Sequence, residues 1–146
     1  MAEMSRETMQ RFSVPRLERF NESALRETVK RDLAWLLNTV NMSAGTDLKA
    51  YPHVQTSVLN FGVADLTGKA SSHRVTLQRA HDIQEAIKIF EPRIDARSLK
   101  VELVGQEREN RTTYVIHADI TAAVNAMPIS FKTDVEADTS TITIRD

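Results

Sequence analysis

The sequence predicts an α+β domain: two main helices packed on one face of a small, mainly antiparallel four-stranded sheet. Three observations lead there. Apolar residues in the N-terminal half recur at helical spacing, the period switches to alternation after Ser98, and the connections between the alternating segments are short and polar. Helices first and strands second is the order of a sheet with helices gathered on one face.

Residues 1–20 are polar and mixed in charge, with Val14, Pro15, Leu17 and Phe20 as the only anchors, and read as a flexible arm ending in a docking segment. A single domain is expected over residues 21–146. Leu25, Val29, Leu33, Leu36 and Val40 form the stripe of an amphipathic helix, with Trp35 and Leu37 expected to widen its buried face and Asn21 or Ser23 to cap it. Asn41 to Thr56 reads as loop. Ser57 to Phe61 reads as one helical turn that Gly62 closes in the left-handed conformation, with Val58, Leu59 and Phe61 folded over the core and Ser57 and Asn60 tying loop backbone to the helices.

After a flexible connection at Gly68 to Ser72, residues Ala80, Ile83, Ala86, Ile87 and Phe90 give a second helical stripe, which Pro92 terminates. Leu99, Val101 and Leu103 then begin a strand. Tyr114, Ile116, Ala118 and Ile120 make the next, Ile129 and Phe131 a third, and Ile142 and Ile144 the last. Gly105 to Arg111, Asn125 to Pro128 and Glu136 to Thr139 are expected to connect antiparallel neighbours.

Bulk properties narrow the function more than they name it. The chain has 146 residues, 27% of them charged, yet a formal net charge of only -1, so no broad field favours nucleic acid or an acidic membrane. There is no cysteine, which fits a reducing compartment and excludes thiolate metal sites. The N-terminal segment has no apolar run of signal-peptide length, and no stretch approaches the ~20 apolar residues of a membrane helix, so the expected location is cytoplasmic.

Catalytic signatures are absent by the same reading. His53, His73, His81 and His117 share no metal-ligand spacing, there is no Gly-x-Ser-x-Gly, and no glycine-rich phosphate loop exists. A carboxylate pair such as Glu91 with Asp119 would suit a glycosidase only in an aromatic-rimmed cleft, and aromatic residues make up 5% of the chain. No catalytic residue, metal, cofactor or small-molecule substrate is expected.

Two features remain. Glu91, Pro92 and Arg93 set a carboxylate and a guanidinium at a stiffened helix end, either a recognition corner or a helix stop with two solvated charges. The last segment, Thr139 to Asp146, suits an edge strand that pairs with a partner, or an ordinary edge guarded by Lys132, Asp134 and Arg145.

The ordered set Val14-Pro15-Arg16-Leu17-Glu18-Arg19-Phe20, Val29-Lys30-Arg31-Asp32-Leu33 with Leu36-Leu37-Asn38-Thr39, Tyr51-Pro52, Ser57-Val58-Leu59-Asn60-Phe61-Gly62 with Asp65-Leu66, and Phe90-Glu91-Pro92-Arg93-Ile94 resembles the TssE family of type VI secretion baseplate proteins. These are similar in turn to the phage-tail baseplate wedge protein labelled lysozyme-like. Phe20 stands where that family usually has leucine, and Phe61 where tyrosine is common.

The resemblance implies a cytoplasmic wedge component in a baseplate docked at the inner membrane. In it, Glu91, Pro92 and Arg93 hold the subunit to the wedge's helical core, and the sheet templates the first strands of a contractile sheath. It implies assembly with other wedge subunits and sheath proteins, without nucleic acid, membrane insertion or hydrolase activity. Arg93→Ala is then expected to leave the fold intact and abolish sheath assembly. A cell-wall hydrolase and a regulatory adaptor on the same fold are the alternative readings.

Overall fold

The computed structural model describes residues 14–64, 73–108, 111–121, 125–136 and 141–146. Helix α1 spans Val14–Leu37, a short helix α2 Pro52–Gln55, and helix α3 His73–Phe90. Four strands follow, β1 Lys100–Arg108, β2 Arg111–Ile120, β3 Met127–Glu136 and β4 Thr141–Arg145, in an antiparallel meander of order β1-β2-β3-β4. The expected α+β architecture is the one observed.

Helix α1 already includes Val14 to Phe20, so the expected docking segment belongs to the helix and Asn21 and Ser23 lie inside it, away from any start. The expected arm before Val14 and the connection at Gly68 to Ser72 lie outside the described residues.

The buried side of α1 is Val29, Leu33, Leu36 and Leu37, joined by Ile83, Ala86 and Ile87 of α3 in one cluster with the inner face of the sheet. Two residues assigned to that stripe leave it. Trp35 is 69% exposed. At the helical repeat it points about 140° away from the mean direction of the buried residues, so the angle excludes it from the core. Val40 keeps the right angle but lies past the end of the helix, paired instead with Val63 in an isolated bridge, and is exposed.

On the sheet, Tyr114, Ile116, Ala118, Ile120, Ile129, Phe131, Ile142 and Ile144 all face the helices and are buried, as the alternation predicts. The buried Tyr114 hydroxyl donates to the Thr76 carbonyl at 2.9 Å, linking β2 to α3, and burial pushes its pKa up to about 12. The connections fall at other residues than expected. Gly105 to Arg108 continue β1 through register shifts between Leu103 and Gly105 and between Gln106 and Arg108, and Pro128 is already in β3 opposite Asp119. Bulges let a strand absorb polar residues that read as loop. The turn at 109–110 and the connection at 137–140 are outside the described residues.

The opposite face of the sheet is polar, and Asp134 is not a solvated guard there. Its carboxylate is buried, accepting from Thr113 Oγ1 at 2.7 Å, Arg111 Nη2 at 2.8 Å and Arg145 Nε at 2.9 Å. Burial alone would raise its pKa, but these donors outweigh it and hold the carboxyl below its ordinary value. Three strands are thereby tied across their solvent face.

Candidate functional site

The Glu91-Pro92-Arg93 corner is built from both sides. The Glu91 amide still donates to the Ile87 carbonyl at 2.9 Å, so Glu91 closes the last turn of α3. Pro92 then occupies the second position of a tight turn, with the Ile94 amide on the Glu91 carbonyl at 3.3 Å. Beyond it, the Arg93 carbonyl accepts from the Thr121 amide and the Asp95 amide donates to the Asp119 carbonyl, both at 2.9 Å, which fastens the corner to the end of β2.

Side chains complete the corner. Arg93 Nε donates to Glu91 Oε1 and Arg93 Nη2 to Glu91 Oε2, each at 2.7 Å, while the Arg93 amide reaches Oε1 at 3.1 Å. Nη2 also donates to Oδ2 of Asp32 on α1 at 2.6 Å. Glu91 is 4% exposed, and the Arg93 side chain 27%. The carboxylate is therefore internal, and what reaches the surface is one side of the guanidinium and Asp32. Glu91 is not a solvated charge; it is the buried anchor that fixes Arg93.

The electrostatics follow from this geometry. Hydrogen bonding to Glu91, with Asp32 adding to it, holds Arg93 more firmly protonated than a free guanidinium against an opposing desolvation cost. The bond from Arg93 lowers the pKa of Asp32, again against burial, with a smaller contribution from Arg31. Both Glu91 oxygens accept from Arg93 and the residue is buried, so its carboxylate is not presented to a cleft as a glycosidase pair would require.

Beside the triad stands the loop that follows α1. Asn60, buried, accepts from the Ser43 amide at 2.8 Å and hydroxyl at 3.0 Å and donates to the Gln55 carbonyl at 2.9 Å. Ser57 Oγ accepts from the Leu59 amide at 3.3 Å and donates to the Val54 carbonyl at 2.9 Å. Both residues tie down loop backbone around a single 3-10 turn at Val58–Asn60, through bonds within the loop and to the short helix α2 and not to the long helices.

Gly62 takes φ of 129°, and a Cβ there would collide with the Thr39 carbonyl oxygen and sit 3.0 Å from the Asn41 amide. Only glycine fits so close to the end of α1.

This scaffold turns Val58 and Leu59 outward, at 83% and 68% exposure. Of the three apolar residues expected to fold over the core, Phe61 alone does so. It sits between Trp35 and Phe90 in edge-to-face contacts, with ring centroids 6.1 Å and 5.4 Å apart. The result is an open groove of about 570 Å³ lined by Asp32, Trp35, Leu36, Val58, Phe61, Phe90, Glu91, Pro92 and Arg93.

An apolar channel with an oriented charge at one end suits recognition of another chain. Trp35, Val58, Leu59 and Asp32 were not assigned to a site from sequence, although the helical angle of Trp35 was a readable signal.

Elsewhere Ser130 Oγ lies 3.2 Å from His117 Nδ1, and His117 Nε2 lies 3.8 Å from Glu102. All three side chains are exposed on the polar face, and the amides of the strands beneath serve the sheet ladder and offer no oxyanion site. No group of three His, Cys, Asp or Glu that could hold a metal ion occurs among the described residues.

A family model described as baseplate wedge protein gp25 matches residues 23–128, well over half of the chain. The chain belongs to the gp25 family of baseplate wedge proteins. The matched span carries the α1 stripe, the groove and the Asp32, Glu91 and Arg93 triad, and ends as β3 begins. The gp25 family is one of structural components of phage-tail-like baseplates, which assemble with other baseplate subunits. No curated protein and no solved structure matched the chain. Among the described residues no helix is long and apolar enough to cross a membrane.

Proposed function

We propose that this gp25-family subunit is a wedge component of a type VI secretion baseplate, working in the cytoplasm on a baseplate docked at the inner membrane. It docks to the helical core of the wedge through Arg93 and the adjoining groove, and its sheet templates the first strands of the contractile sheath. The observation that carries the docking half is the juxtaposition of Val58, Leu59 and Trp35, exposed, with an Arg93 held in place by buried Glu91. Apolar contact supplies affinity, and a fixed guanidinium supplies orientation without an ordering cost at the moment of binding. Glu91 and Pro92 position; Arg93 touches the partner.

The test separates docking from folding. Val58→Asp with Leu59→Asp changes two exposed side chains, so the unfolding midpoint stays within about 0.5 kcal/mol of the parent. Co-purification of wedge subunits from cells that build the machine should be lost. Retained co-purification with an unchanged fold would show that the groove is not the docking surface. Capture of a single soluble protein, with no wedge or sheath subunit, would favour the adaptor reading instead.

A further inference from the structure

The two edges of the sheet are not equivalent. Ile142 of β4 turns its backbone amide and carbonyl away from β3, and both are already bound: Asn38 Oδ1 accepts from the Ile142 amide at 3.0 Å and Asn38 Nδ2 donates to its carbonyl at 2.9 Å. One carboxamide thus does for β4 what a neighbouring strand's peptide group would do. The same face of α1 continues the closure. Arg26 Nη1 lies 2.6 Å and Lys30 Nζ 3.3 Å from the Asp146 carboxylate.

Arg26, Lys30 and Asn38 fall on one stripe at multiples of four residues. The rise from Lys30 to Asn38 is about 12 Å. The rise from Ile142 to Asp146 is about 13 Å. Helix α1 therefore runs antiparallel along β4, and Ile144 turns its peptide groups to the same side by alternation. Of the two readings of the last segment, a partner-pairing edge and an ordinary closed one, these contacts favour the closed one.

The parity fixed by Ile142 propagates across the meander. Asp119 turns its amide and carbonyl toward the β1 side, where Ser98 Oγ and the Asp95 amide take them at 2.9 Å each. In the β1 register Glu102 faces Val115 and Lys100 faces His117, so alternation points the peptide groups of Val101 and Leu103 outward. No partner for those groups lies among the described residues. Helix α3 packs on the face of β1, where Val101 and Leu103 are half-buried, and no described element pairs along its outer border. The register shift after Leu103 interrupts the regular ladder, which limits an in-register guest to the Lys100 to Leu103 stretch.

We infer that the β4 border is latched shut by Asn38 and the α1 stripe, and that a partner's extended segment adds to the sheet at β1, beside Val101 and Leu103. The identity of that partner as a sheath subunit rests on the proposed function; the asymmetry of the edges does not. Asn38 is a positioning residue that directs the guest by occupying the other border.

Two measurements test this. Amide exchange on the full chain should be about tenfold faster at Ile142 in Asn38→Ala than in the parent, with Thr143, which faces β3, unchanged. Equal exchange rates at Ile142 would overturn the latch. In cells assembling the machine, a photo-crosslinking residue at Glu102 should give adducts with a sheath subunit, and one at Thr143 none. Adducts from Thr143 alone would overturn the assignment of the edge while leaving sheath templating intact. Adducts from neither position would remove the templating reading, and the guest at β1 with it.

Discussion

Replacing Arg93 by alanine is the most informative perturbation of this molecule, because the contacts of the corner predict a cost in stability beside any loss of docking. Glu91 is almost fully buried and receives three donations, all from Arg93, two of them from the guanidinium. Alanine removes the two charge-assisted ones and leaves a buried carboxylate against a backbone amide. Breaking a buried pair by deleting one partner costs about 3–5 kcal/mol. Because Arg93 is itself partly exposed, water can reach the gap, and the expected cost falls to about 2–4 kcal/mol.

For a chain of this length that corresponds to a melting temperature lower by roughly 5–12 °C. Urea unfolding followed by circular dichroism reads the difference directly. The diagnostic comparison is Glu91→Gln combined with Arg93→Ala, which removes the stranded charge and should recover more than half of the loss. Arg93→Lys keeps the charge but not the fork, and should cost about 1–2 kcal/mol. An Arg93→Ala protein that melts with the parent, or a double variant no more stable than the single one, would refute the view that Glu91 is an internal anchor. Docking phenotypes of Arg93 variants must therefore be read beside their stabilities.

Other expectations follow from particular atoms. Gly62→Ala should destabilise by about 2 kcal/mol or more, since a Cβ at that positive φ meets the backbone of Thr39 and Asn41; a denaturant midpoint equal to the parent's would contradict the geometry. Thr133 is fully buried and its hydroxyl has no hydrogen-bond partner among the described residues, so Thr133→Val should be neutral or stabilising by up to about 1 kcal/mol, and a clear loss would mean the hydroxyl is satisfied. Asp32 and Asp134 both have folded pKa values below their ordinary one. Their stabilisation is complete above the unfolded value and is lost as pH falls through the folded ones, so the urea midpoint should drop below about pH 4. Asp134→Asn should flatten that acid limb, and an unchanged limb would exclude the cluster as its source.

The sequence was most legible where one physical rule acts alone. Alternation in Tyr114, Ile116, Ala118 and Ile120 depends only on which face of the sheet is buried, and each residue lies where the period puts it. The Ala80 to Phe90 stripe and its stop at Pro92 were equally direct.

Reading failed where two rules compete. Trp35 was drawn into the core by its hydrophobicity although the helical angle excludes it, and Val58 and Leu59 were placed over the core when their turn, fixed by Asn60 and Gly62, faces them outward. Polar Gly105 to Arg108 looked like loop because a bulged edge strand tolerates polar residues. Glu91 with Arg93 was found, but Asp32, far away in sequence, was not, since nothing local announces an ion pair between α1 and the end of α3.

The groove and the open edge are also mechanically connected. The corner that fixes Arg93 is pinned to β2 through the Arg93 carbonyl and the Asp95 amide, and a few residues later the same chain runs along β2 as β1. Arg93 to Asp95 and Lys100 to Leu103 therefore occupy successive stretches of one border of β2. Between them the Ser98 hydroxyl donates to the Asp95 carbonyl at 2.8 Å and its oxygen accepts from the Asp119 amide, which leaves little freedom for a hinge. A subunit docked through Arg93 would thus present Val101 and Leu103 at an angle set by hydrogen-bonded backbone. Fixing a strand template before the guest arrives removes part of the ordering cost of adding that guest. In the proposed scheme Asn38 complements this by occupying the second border, so that orientation and choice of edge would rest on separate contacts on opposite sides of the sheet.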